Sequence, residues 1–106
     1  MPTKVEIIID NLDDPAAFDD ALPGLLDKAK ALPGLRGLES SRVWPKEDGT
    51  PTPAFRTLAL LFDGYAEASA ATGSPEGGAF FGAVAGAAAG KITGLFLDVE
   101  TVRTAS

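Results

Sequence analysis

The sequence predicts an α+β domain, a ferredoxin-like sandwich with element order β-α-β-β-α-β, a four-stranded antiparallel sheet and its helices on one face. Three observations carry that expectation. Four short segments are enriched in β-branched and apolar residues. Between them lie stretches with helical spacing that open on Asp-Pro or Ser-Pro. A length of 106 residues makes one domain, residues 1–106, the natural count.

Val5 to Ile9 reads Val-Glu-Ile-Ile-Ile and stops at Asp10-Asn11, which makes it the first strand. Asp13-Asp14-Pro15 is a helix start, an Asp cap followed by Pro at the first helical position. Phe18, Leu22, Leu25, Leu26, Ala29 and Leu32 then recur in steps of three and four, an amphipathic stripe that Pro33-Gly34 ends. The carboxylates Asp13, Asp14, Asp19, Asp20 and Asp27, which cluster in and before this helix, are read as caps and as partners of the helix dipole. Pro23 interrupts this helix. It removes one hydrogen bond and crowds the preceding turn at a cost of about 3 kcal/mol, which predicts a kink near 19–24 or two short helices in line.

Leu38 to Trp44 is the second strand candidate, and Pro45 to Pro53 a solvated loop. Ala54 to Phe62 is the third strand, closed by Asp63-Gly64. Tyr65 to Thr72 is Ala-rich and helical, and Ser74-Pro75-Glu76 starts a further helix with Ser as its cap. Ile92 to Val99 is the last strand, and the tail after Arg103 is expected to fray. The third and fourth strands are apolar on both faces, the mark of a sheet covered on both sides. Homodimerisation through the sheet, around Leu60 and Leu97, is the expected solution.

Composition narrows the chemistry. The chain has no cysteine and no histidine, which removes thiolate nucleophiles, disulfides, Cys/His zinc sites and every imidazole general base. No Gly-rich phosphate turn joins a strand to a helix, which leaves nucleotide binding without support. No cofactor and no metal are expected. Fifteen acidic against nine basic residues give a net charge of −6. That balance argues against a nucleic acid and against an anionic membrane surface as partners. The weakly polar run Gly77 to Gly90 is too short to span a bilayer. Met1 to Asp10 has no signal-peptide pattern, which leaves a cytoplasmic location as the default.

Three segments in order, Asp14-Pro15-Ala16-Ala17-Phe18-Asp19, Leu32-Pro33-Gly34-Leu35 and Ser74-Pro75-Glu76-Gly77, resemble the EthD family of the dimeric α/β-barrel superfamily. The resemblance spans about Val5 to Val99 and implies a homodimer whose sheets face each other. The family takes its name from an accessory role in ethyl tert-butyl ether degradation. Its superfamily includes cofactor-free monooxygenases, lactone isomerases and polyketide cyclases. Two departures stand out. The usual helix histidine falls near Leu25, and an Asp-x-x-Asn-like pair falls on Ala83 and Gly86. The family's usual polar positions are therefore apolar here, which shifts the expectation from catalysis toward binding or a degenerate function.

Six side chains are the candidate ligand-binding residues. Glu6 would be a general base if it faced a pocket, and a solvated strand residue otherwise. Arg42 and Trp44 alternate on one strand and could form a cation–π or pocket pair. Arg56 could take an acidic group or simply snorkel. Tyr65 could polarise a carbonyl, and Phe80, beside Phe81, could line a pocket or pack in the core. Gly78, Gly82, Gly86 and Gly90 would form a bare helical stripe suited to a mobile lid or to close packing, at about 1 kcal/mol of helix propensity each. The expected function is binding of a small hydrophobic or aromatic compound in a cavity between helices and sheet. The alternatives are a cofactor-independent enzyme and a degenerate member without a ligand.

Overall fold

A computed structural model describes residues 1–100; the tail after Arg103 lies outside them. Seven elements follow in the order β1 (Thr3–Ile9), α1 (Pro15–Lys30), β2 (Gly37–Arg42), β3 (Arg56–Phe62), α2 (Tyr65–Thr72), α3 (Pro75–Ala87) and β4 (Ile92–Asp98). The strands form one antiparallel sheet in the order β2-β3-β1-β4. The second helical layer is thus a helix pair, broken at Gly73 and restarted by the Ser74 cap.

Alternation along the central strands builds the core. Val5 lies opposite Leu60 and Ile7 opposite Leu58, and all four are buried under the helices. Phe18, Leu25 and Ala29 of α1, Ala68 and Ala71 of α2, and Phe80 and Val84 of α3 close over them. Burying a large apolar side chain contributes about 1.5–3 kcal/mol, so this layer dominates stability.

Local signals set the helix ends. The Asp14 carboxylate accepts from the Ala17 N–H at 3.2 Å, and Ser74 Oγ accepts from the Gly77 N–H at 3.0 Å. At the close of α3, Ala89 takes a φ of 52° and Gly90 a φ of 78°, and the Gly90 N–H donates to the Ala85 carbonyl at 2.8 Å. The glycine-rich segment is therefore a helix as far as Ala87. Gly77 packs so closely against the Ala71 and Thr72 carbonyls that no Cβ fits, whereas Gly78, Gly82 and Gly86 face open space.

Several expectations change. α1 runs through Pro23 as one helix rather than two. Pro23 and Gly24 are exposed, so the missing bond faces water while buried Phe18, Leu25 and Ala29 hold both halves to the sheet. β2 stops at Arg42, short of Trp44, and β3 starts at Arg56. Leu60 belongs to the helix-covered face and cannot form an outer surface. The open face carries Ile8, Ala59, Leu61, Leu95 and Leu97, interleaved with Lys4, Glu6, Thr57 and Thr93. It is a mixed surface rather than an apolar sheet. Its polar centre is the Lys4–Glu6 pair, 3.4 Å apart.

Candidate functional site

The densest polar geometry lies where β2, β3 and α1 meet. Register sets Arg42 of β2 directly opposite Arg56 of β3. Both side chains rise on the helix-covered face, toward α1. Like charges in that relation repel, and Asp19 of α1 reaches down between them. Arg42 Nη2 donates to Asp19 Oδ2 at 2.7 Å, and Arg56 Nη2 donates to Asp19 Oδ1 at 3.2 Å. Arg56 Nη1 also donates to Ser40 Oγ at 2.9 Å. Each carboxylate oxygen is thereby committed to one arginine.

Phe55 supplies the floor. The Arg42 and Arg56 guanidinium carbons lie 5.2 and 5.6 Å from its ring centroid, within cation–π range. The ring is itself anchored edge-on to Phe18 at 6.1 Å. The two arginines differ in environment. The Arg56 side chain is only 10% exposed, and its Nε–H is buried without an acceptor. The Arg42 side chain is 58% exposed. Arg42 also borders a shallow depression of about 340 Å³ together with Val43, Trp44 and Pro45. Trp44 is 87% exposed there, unusual for the chain's only tryptophan. In the adjoining loop the Asp48 carboxylate accepts from the Thr50 hydroxyl at 2.7 Å and the Thr50 N–H at 3.0 Å. These bonds hold its pKa below the ordinary carboxylate value.

The structure brings together three of the six candidates, Arg42, Trp44 and Arg56, and separates the rest. Glu6 lies on the open sheet face, paired with Lys4, and not in a pocket under the helices. Tyr65 begins α2, 61% exposed, with its ring tilted against Phe96 at 5.5 Å. Phe80 is fully buried in the core against Phe81, with a centroid distance of 5.0 Å. The expected cavity between helices and sheet is occupied by Phe18, Phe62, Phe80, Ile7 and Leu58, all buried. Leu25, where the family resemblance would place a histidine, is part of that packing, and Ala83 lies against it.

Three residues of the cluster escaped sequence reading: Asp19, Ser40 and Phe55. Asp19 was assigned to the helix dipole, but it is the fifth helical residue, past the first turn. That position was the available signal. A second depression of about 210 Å³ joins the start of α1 to the end of α3, lined by Leu12, Asp13, Asp14, Ala17, Ala87–Ala89 and Lys91. Among the described residues no group of three or more acidic side chains could hold a metal ion, and no helix is long and apolar enough to cross a membrane.

No family model matches the chain. A curated relative, the uncharacterized 11.0 kDa protein in the thcB-thcC intergenic region of Rhodococcus erythropolis, is 34% identical over 100 residues. The match covers 93% of this chain and 96% of that protein. An EthD-family protein of Bacillus halodurans superposes with a TM-score of 0.86 at 19% identity, covering 94% of this chain and all of that one. A dimeric ferredoxin-like protein of Thermobifida fusca gives a TM-score of 0.70 at 15% identity over 93% of this chain and 92% of that one. These two likenesses establish a common fold.

Proposed function

Because the chain belongs to the same family as the Rhodococcus erythropolis 11.0 kDa protein and has the fold of an EthD-family protein, we propose that it is a homodimeric EthD-like protein that binds a small hydrophobic or aromatic compound. The observation that carries this reading is the depression beside exposed Trp44, walled by an arginine already fixed on Asp19 and Phe55. Ligand sites combine apolar wall with a few oriented polar groups, and this spot has both. Buried side chains fill the layer between helices and sheet, which supports reading the site at the end of β2 rather than in the interior. The exclusion of thiol and imidazole chemistry, together with apolar residues at Leu25 and Ala83, supports binding over turnover.

Native mass spectrometry of freshly purified protein tests the reading directly. A small-molecule adduct that is lost on denaturation, or an added aromatic compound that shifts Trp44 emission, is the expected result. A dimer free of adduct, whose Trp44 emission and melting temperature ignore saturating aromatic compounds, overturns it.

The dimer rests on the Thermobifida fusca protein being dimeric and on Leu61, Leu95 and Leu97 lying on the uncovered face. A sheet partner would remove this apolar surface from water and cover the half-buried Lys4–Glu6 pair. Sedimentation should give twice the monomer mass, and Leu97→Glu should return the monomer with its helical signal intact. A monomer in the unmodified protein refutes this part.

A further inference from the structure

We propose that the depression beside Trp44 selects an aromatic carboxylate, with Arg42 taking the carboxylate and Trp44 the ring. This rests on the binding role proposed above and specifies its ligand class.

The first argument is charge. Arg42 and Arg56 lie directly opposite each other in register, a repulsive arrangement, with the single carboxylate of Asp19 between them. Two guanidinium groups and one carboxylate leave one unit of positive charge at this spot, in a protein whose net charge is −6. Arg56 already draws on Asp19 and Ser40 and is buried, so the uncompensated charge that a ligand can reach is that of Arg42.

The second argument is geometry. Arg42 makes one hydrogen bond among the described residues, from Nη2 to Asp19. Its other N–H donors make no hydrogen bond among the described residues, and the residue borders the depression. Arginine carries five donors in a planar fork that matches a carboxylate at two points. Here the fork is held in advance, by Asp19 at one edge and the Phe55 ring 5.2 Å away. A fixed fork loses less side-chain entropy on binding than a free one.

The third argument is the rest of the wall. Val43, Trp44 and Pro45 offer an apolar body site with the indole 87% exposed. An aliphatic acid would leave that indole largely bare. A neutral aromatic compound would leave the Arg42 donors in water. An aromatic acid satisfies both. A volume of about 340 Å³ has room for one substituted ring.

Trp44 is the only tryptophan, so its emission reads the site without a label. Phenylacetate is titrated against phenylacetamide, which keeps the ring and the length and lacks the charge. The expected result is a blue shift with both probes and at least about tenfold tighter binding of the acid, equivalent to about 1.4 kcal/mol. Arg42→Gln, a change at a mostly exposed side chain, should erase this preference and leave the amide's affinity within about twofold. Added salt should weaken the acid alone.

Equal affinity for acid and amide in the unmodified protein overturns the inference and leaves the binding role standing. A preference that survives Arg42→Gln also overturns it, because the anion then sits elsewhere. Absence of any response to either probe overturns it too. The binding role is then decided separately by the adduct in native mass spectra, which requires no carboxylate.

Discussion

The β2 edge of the sheet and helix α3 are built on opposite principles. At the β2 edge, side-chain charge organises the structure: all three arginines of the described residues, Arg36, Arg42 and Arg56, lie on β2, on β3 or on the segment leading into β2, and each meets a carboxylate. α3, which packs on α1 and α2, carries no charged side chain from Gly77 to the end of the helix, and its fit to α2 depends on a missing side chain at Gly77. Charge contacts are directional and leave donors without a partner, which is why the proposed ligand site is drawn at the β2 edge. Close contact between backbones is not directional in that way and serves packing. The lesson is that the composition of a helix says little until its neighbours are known. Gly77 and Gly78 are adjacent and identical, yet one touches backbone and the other nothing.

That pair gives the sharpest test. A methyl at position 77 would run into the Ala71 and Thr72 carbonyls, which belong to the backbone of the last turn of α2 and cannot rotate away. Gly77→Ala should therefore cost about 3 kcal/mol, the upper range for overpacking. In a domain of this size that lowers the melting temperature by roughly 10–20 °C. Gly78→Ala, one residue on, should lower it not at all. Equal losses at both positions would break the distinction between a packed and an open glycine. Thermal unfolding followed by circular dichroism measures both.

The β2 edge makes the complementary prediction, that two arginines on one carboxylate are not equivalent. Arg56→Ala removes a nearly buried group and leaves Ser40 and part of Asp19 without their donor. The expected loss is about 2 kcal/mol, below the usual cost of breaking a buried pair because Arg42 still neutralises Asp19. Arg42→Ala removes a mostly exposed side chain from the same carboxylate and should cost less than about 1 kcal/mol. Denaturant unfolding distinguishes the two. If Arg42→Ala proves the costlier, the triad is a structural clamp and its free donors have no binding role.

The contrast between these two regions also explains what the sequence disclosed. Element order was legible because it rests on signals that act within a few residues. The Asp14 and Ser74 caps, the alternation in Val5–Ile9 and the Tyr65–Thr72 helix appear where local reasoning puts them, and β3 fills all but the first two residues of the expected Ala54–Phe62 strand. The helix through Pro23 was not legible, because burial of Phe18 and Leu25 outweighs a local penalty that faces water. Neither was the side of the sheet that Leu60 faces relative to Leu97, since both strands alternate apolar residues and only register decides. At the site, Arg42, Trp44 and Arg56 could be picked by residue type. Asp19 could not, because its role depends on three elements meeting, and Phe80 was a candidate only while the depth of the core was unknown.

The smallest effect sharpens the comparison on α3. Gly82 faces open space in the middle of α3, where glycine costs about 1 kcal/mol of helix propensity relative to alanine. If nothing approaches this face in solution, Gly82→Ala should raise stability by about that amount, and the gain should be independent of protein concentration. The gain follows from reduced backbone freedom in the unfolded chain and needs no new contact. A loss of stability that grows with protein concentration would mean that another molecule packs against the bare stripe, and that α3, like Gly77 within it, keeps its glycines for close approach. Melting curves at two well-separated concentrations decide between an open face and an occupied one.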